Sequence, residues 1–290
     1  MDRGPAVCKT AGFPDKVLKL GAAVSDLTEK AITHHHGKGD PRALMAGKVA
    51  DYMKVARTVT GLFNIFRGVL QGIPAAVKSI YLSVKTYGKD VEIKIGPRGP
   101  FNTALSKTEK VLAAVENSGQ FVAATTFTWS FGVARVVKFA EMIGVKLSHA
   151  AKSVKDSFCF AMMANHIGAL IANIVGWVRE AISLDRLKAE YRANPTKEIK
   201  LPKGVKLSAE QPVDLAERAL ADLDREAVQS GVRHAVTIAE KAVELALDTV
   251  HCGVPIPLMV QASLNVVVGV TAVINLWVGG FESPDRLASA

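Results

Sequence analysis

Residues 254–280 read VPIPLMVQASLNVVVGVTAVINLWVGG, and the reading of this run decides the fold. Between His251 and Glu282 the Cys252 thiol is the sole ionisable side chain. About 20 helical residues cross a hydrocarbon layer about 30 Å thick, so the run is long enough to span a membrane. Its Val, Leu, Ile and Met side chains each contribute only a few tenths of a kcal/mol, and Gln261, Asn265 and Asn275 offset part of that gain. The expectation is a transmembrane helix over 256–279, followed by a short tail, 280–290.

A second uncharged run, SFCFAMMANHIGALIANIVGWV at 157–178, lies between Asp156 and Arg179 and is the other expected transmembrane helix. Ala164, Gly168, Ala172 and Gly176 recur there at every fourth residue, so one helix face is lined by small side chains. Such a face lets another backbone come close, which is how helices associate where no water drives them together. The C-terminal run has a comparable face in Ala262, Asn265, Gly269 and Ala272. These eight residues are the expected helix-packing positions, within one chain or between copies. His166 reads as a hydrogen-bonded packing histidine.

The rest of the chain is amphipathic and charged. Mean hydropathy is +0.21 although 22% of the residues are charged, so charge and apolarity are segregated along the chain. Residues 1–156 hold 23 Lys/Arg against 12 Asp/Glu, whereas 179–251 hold 12 against 13. The basic region, 1–150, carries no zinc-finger or aromatic RNA-binding pattern, so anionic lipid suits it better than nucleic acid. With two spans both termini share one side, and the basic segment places them in the cytosol.

Within 15–32, Val17, Leu20, Val24, Leu27 and Ala31 fall at helical spacing. The loop THHHGKGDPR, 33–42, follows, with Asp40 and Pro41 as N-cap and first helical residue. Residues 42–70 then give the longest amphipathic pattern, its apolar stripe including Val49, Tyr52, Met53, Phe63, Phe66 and Leu70. Lys48, Lys54, Arg57 and Arg67 flank that stripe. Together with Phe63 and Phe66 they are the expected membrane-binding residues, anchors in the acyl boundary and cations on phosphates. GPRGP at 96–100 marks a turn between two helical regions, and Ser106 with Glu109 forms a capping box. Residues 117–134 suit a buried or interfacial helix. Region 179–251 comprises a polar loop and a long amphipathic helix introduced by a second capping pattern, Ser208 with Gln211.

No HExxH, GxSxG, Walker A or Rossmann pattern occurs, so no enzyme, catalytic residue or cofactor is expected. The triplet His34, His35 and His36 has no Cys or carboxylate partner at ligand spacing, so no metal is expected. Cys8, Cys159 and Cys252 are widely spaced and odd in number, which supports no disulfide framework and fits a reducing compartment.

With these residues laid out, the chain resembles the peroxin-eleven family. TAGFPDKVLKL supplies the family's opening residues as Thr10, Gly12, Asp15, Lys16 and Lys19; Pro14 stands where Arg is usual, and Ala22 and Ala23 where Gln-Tyr is usual. YMKVARTVTGLFNIFRGVL is similar to its basic amphipathic helix, with Arg57, Phe66 and Arg67 at matching places. Asn117 to Trp129 resembles its central Asn and aromatic segment. The resemblance implies a multi-pass peroxisomal or glycosomal membrane protein that remodels and elongates the organelle before fission and proliferation, by amphipathic-helix insertion and homo-oligomer formation. By the same analogy its partners are a fission adaptor and a dynamin-like GTPase. The residues leave two alternatives open. One is a pore or metabolite channel lined by Asn165, His166, Asn173, Asn265 and Asn275; the other is a soluble helical scaffold. The fold expected is all-α, a helical membrane protein with amphipathic helices and two transmembrane helices.

Overall fold

The computed structural model describes residues 13–88, 92–95, 101–142, 144–193 and 212–279. Among the described residues the chain is helical apart from one short hairpin, the all-α class its composition predicts. Helix α1 spans Phe13–His36 and α2 Pro41–Gly88; strands β1, Glu92–Ile95, and β2, Phe101–Ala104, pair antiparallel. Then come α3 (Lys107–Phe127), a π-helical stretch (Thr128–Ala134), α4 (Arg135–Met142) and α5 (His149–Asp156). The chain continues with α6 (Phe158–Ala193), α7 (Pro212–His251) and α8 (Leu258–Gly279).

Local chemistry sets several of these ends. Asp40 accepts the Arg42 backbone N–H at 2.8 Å just ahead of Pro41, and the Arg42 guanidinium closes back on the same carboxylate. Ser106 and Glu109 form the expected capping box: the Glu109 N–H donates to Ser106 Oγ at 3.3 Å, and the Ser106 N–H donates to Glu109 Oε2 at 2.7 Å. Gly37, at φ 91°, ends α1, a backbone conformation that costs glycine nothing.

Four expectations are corrected. His34, His35 and His36 form the last turn of α1 rather than a loop, because the break falls at Gly37 and imidazoles suit the negative end of a helix dipole. The amphipathic helix does not stop at residue 70 but runs to Gly88, with Pro74 inside it. The flanks of 96–100 are not helices but the strands of the hairpin, Ile93 opposite Thr103; β-branched Ile93, Ile95 and Thr103 favour that pairing. Cys159 and Cys252 are joined in a disulfide, their Cα atoms 6.0 Å apart, since α6 and α7 run antiparallel and bring the two ends together. The Ser208 and Gln211 capping pattern lies outside the described residues.

Packing closes a cycle of six helices: α1 on α2, α2 on α3, α3 on α6, α6 on α7, α7 on α8 and α8 back on α1. Neighbours are antiparallel. Along α3 and α6, for example, Glu109 meets Ser183, Glu116 meets Arg179 and Ala123 meets Asn165.

Candidate functional site

Helices α6 and α8 turn much of their apolar surface outward. On α6 the exposed residues include Phe160, Ile167, Ile171, Ile174 and Val178, while Asn165 and His166 are buried. On α8 the exposed set includes Leu258, Val260, Val267, Val270 and Ile274. Helices α6 and α8 are long and apolar enough to cross a membrane, and only 22% of each apolar window is buried. A soluble core helix of that composition turns most of its apolar side chains inward. The wall continues along α2 with Ile73, Val77, Ile80, Tyr81 and Val84 and along α3 with Val111, Val115 and Val122.

The small-residue faces are what let the helices close. A Cβ added at Gly168 would lie 2.8 Å from the Gly119 carbonyl oxygen and 2.9 Å from the Ala123 nitrogen, so α3 and α6 meet backbone to backbone. Ala172 packs on Gly119, Gly176 on the Glu116 side chain, and Ala164 is half-buried one turn before Gly168. On α8, Gly269 meets Leu20 of α1, with Ala262 and Ala272 buried beside it and Asn265 half-buried. The two faces therefore do not pair with each other, and each is covered by another helix of the same chain.

Charged side chains fill the junction of α1, α6, α7 and α8. Lys19 Nζ is 2.8 Å from Glu244 Oε1, and Lys16 Nζ is 3.7 Å from Glu240 Oε1. His166 lies between two carboxylates, with Nε2 3.1 Å from Glu244 Oε2 and Nδ1 2.7 Å from Asp248 Oδ2. Asn275 donates to Glu240 at 2.5 Å, and Lys241 reaches Glu244 at 2.8 Å. Glu244 thus meets His166, Lys241 and Lys19 together, so its half-buried carboxylate is matched by three nitrogen groups. At the other end Glu109 is fully buried. Burial raises its pKa, yet hydrogen bonds from Ser106, Ser183 and Arg186 prevail and lower it to about 2.

Two spaces open into this interior. A cleft of about 590 Å³ is bordered by α2, α3, α6 and α7, with Glu116, Gln120, Asn165, Asn173 and His234 as its polar lining. The Nδ2 donors of Asn165 and Asn173 are held by the Ala123 and Ala169 carbonyls at 2.6 and 2.7 Å. A second cavity, about 340 Å³, lies between α1, α2 and α8 and is lined by Lys19, Asp26, Lys30, Lys54, Arg57, Gln261 and Asn265 among others.

The expected membrane-binding residues divide. Lys48 is exposed on α2. Lys54 and Arg57 turn toward α1, Lys54 3.9 Å from Asp26 and Arg57 Nε 3.1 Å from Asp15, so both line the second cavity. The side chains of Phe63, Phe66 and Arg67 lie outside the described residues. Tyr52, on the apolar stripe of 42–70, is 75% exposed, whereas its neighbour Met53 packs on Gly21. Of the five residues expected to line a polar path, Asn165 and Asn173 border the first cleft, Asn265 the second, and His166 and Asn275 the charged junction.

Sequence reasoning missed Glu240, Glu244 and Asp248. Their spacing of four along α7 was the available signal: carboxylates repeating on one helix face, beside Lys16 and Lys19 at a spacing of three on α1. Among the described residues no group of His, Cys, Asp and Glu is arranged to hold a metal ion. Compared with protein families, curated proteins and solved structures, the chain finds no match.

Proposed function

We propose that the chain is an integral membrane protein of a peroxisome or glycosome that remodels and elongates that membrane. One observation carries the membrane part of this reading: two helices of spanning length whose apolar side chains mostly face outward. A polar interior is where a membrane protein keeps its ionisable groups, paired with one another and away from lipid. The organelle and the remodelling rest on the resemblance of 10–19, 52–70 and 117–129 to the peroxin-eleven family.

The mechanism is a wedge. The basic amphipathic stretch of α2 enters the cytosolic leaflet, expands its area and favours positive curvature. Because Gly168 and Gly269 are covered within the chain, self-association that concentrates such wedges uses the outer apolar wall. A fission adaptor and a dynamin-like GTPase act on the elongated membrane.

The test is imaging of the tagged protein at raised expression beside a peroxisomal or glycosomal marker, with alkaline carbonate extraction of the same cells. Elongated or clustered organelles and retention in the pellet are expected. Unchanged organelles defeat the remodelling reading, and release by carbonate defeats the membrane reading and restores the soluble scaffold.

A second reading, a channel for small polar solutes, is favoured by the positions of Asn165, Asn173 and Asn265 at the edges of the two interior spaces. Solute flux through liposomes holding the purified chain is its test; tight liposomes exclude it.

A further inference from the structure

The cavity between α1, α2 and α8 is lined by four cations, Lys19, Lys30, Lys54 and Arg57, and by one carboxylate, Asp26. Asp26 is shared, with Lys30 at 2.6 Å and Lys54 at 3.9 Å, and Lys54 also reaches Asp51, outside the lining, at 3.5 Å. The carboxylates that answer Lys19 and Arg57 lie outside the lining: Glu244, itself shared with Lys241 and His166, and Asp15. Arg135 stands close enough to Arg57 for the two like charges to oppose each other.

The third wall is chemically different. Gln261 and Asn265 come from α8, the apolar helix, and add two primary amides to the lining. An amide on an otherwise apolar spanning helix is costly unless something hydrogen-bonds it. At 1.5 Å per residue these two lie about 5 and about 11 Å along α8 from its first residue. Both therefore sit within about two turns of one end of α8, so the cavity lies toward one end of the span.

We propose that this cavity binds a single phosphate group, carried by an anionic phospholipid or by a water-borne phosphate ester. Ammonium and guanidinium groups neutralise the phosphate charge, and the amide N–H groups of Gln261 and Asn265 donate to its oxygens. Basic pockets between membrane helices bind lipid headgroups by this chemistry. The site is distinct from the diffuse contact of Lys48 with a lipid surface, because it is saturable and depends on two uncharged residues. Its placement toward one end of a span rests on the membrane reading above.

The experiment is thermal melting of the full chain in neutral detergent, titrated separately with inorganic phosphate, short-chain phosphatidic acid and short-chain phosphatidylcholine, at constant ionic strength. A saturable rise in melting temperature with phosphatidic acid alone assigns the site to lipid; a rise with inorganic phosphate assigns it to a water-borne phosphate. In Gln261→Leu/Asn265→Leu, whose leucines favour the span, the half-saturating concentration should rise about tenfold, the loss of two ordinary hydrogen bonds. Lys48→Gln should leave it unchanged. No saturable rise, an equal rise with phosphatidylcholine, an unaltered double variant, or an equal loss in Lys48→Gln overturns the proposal. Because the titration is done in detergent, its failure is separate from release of the chain by carbonate.

Discussion

Replacing Gly168 by alanine isolates the backbone-to-backbone approach of α3 and α6. The new Cβ would stand 2.8 Å from the Gly119 carbonyl oxygen and 2.9 Å from the Ala123 nitrogen, about 0.6 Å inside the 3.4 Å at which ordinary contact begins. Both obstacles are backbone atoms of a helix, so no rotamer change relieves the clash. The helices must part, and a gap of about 0.5–1 Å forfeits a quarter to a half of the attraction between each facing atom pair. The expected cost is about 1–3 kcal/mol, the usual range for overpacking. For chains of this order that is a fall of about 2–4 °C in melting temperature per kcal/mol, read by far-UV circular dichroism in detergent. Gly119→Ala meets the Gly168 carbonyl oxygen at 2.8 Å, so it opens the same gap and should cost a similar amount. Once one alanine has parted the helices the second clashes less, and the double variant should lose clearly less than the two single losses together. Oligomer size by light scattering should not change, because the contact lies within one chain. Wild-type melting in Gly168→Ala, strictly additive losses, or a change of oligomer size with melting unchanged would refute this reasoning.

Other perturbations reach the wall, the cap and the cross-link. Ile171→Arg puts a charge on the outward face of α6 and should oppose membrane insertion by about 2.5–3.5 kcal/mol, seen as a smaller membrane-integrated fraction; unchanged integration would place that face inside the protein. Ser106→Ala removes the α3 N-cap and should cost about 1 kcal/mol of stability in the same melts. The pKa of Glu109 is lowered on folding, so its ionised form stabilises the fold fully above the ordinary carboxylate range. That contribution should fade as pH drops from about 5 to about 2, and Glu109→Gln should flatten this part of the pH profile; an identical profile would count against it. Cys159→Ser opens a cross-link with a sequence separation of 93 and should lower stability by up to about 4–5 kcal/mol, and reduction of wild type should add two reactive thiols, beyond Cys8, to a thiol-specific mobility shift.

What the sequence made legible was periodicity. Helices α6 and α8, the capping box at Ser106 and the four-residue recurrence of Ala164, Gly168, Ala172 and Gly176 each rest on neighbours along the chain. Their partners were not legible, because Gly168 meets Gly119 and Gly269 meets Leu20 across long separations that no local pattern encodes. The disulfide was hidden for the same reason: an odd cysteine count argues against a framework, yet antiparallel packing of α6 and α7 puts Cys159 beside Cys252. The partners of Lys54 and Arg57 were not legible either: both side chains stay partly exposed, and α1, packed alongside, sets Asp26 and Asp15 against them.

Helix α2 holds 48 residues, about 72 Å of rod at 1.5 Å per residue. A whole bilayer with its headgroups is about 40–45 Å thick, so no upright placement contains the rod. A stiff member longer than its medium works as a lever: it must lean steeply or stand clear of the surface, and because α1 packs along its first half and α3 along its second, a force on one becomes a torque on the other. Pro74 leaves 33 residues on one side and 14 on the other, which sets where that lever would bend if loaded.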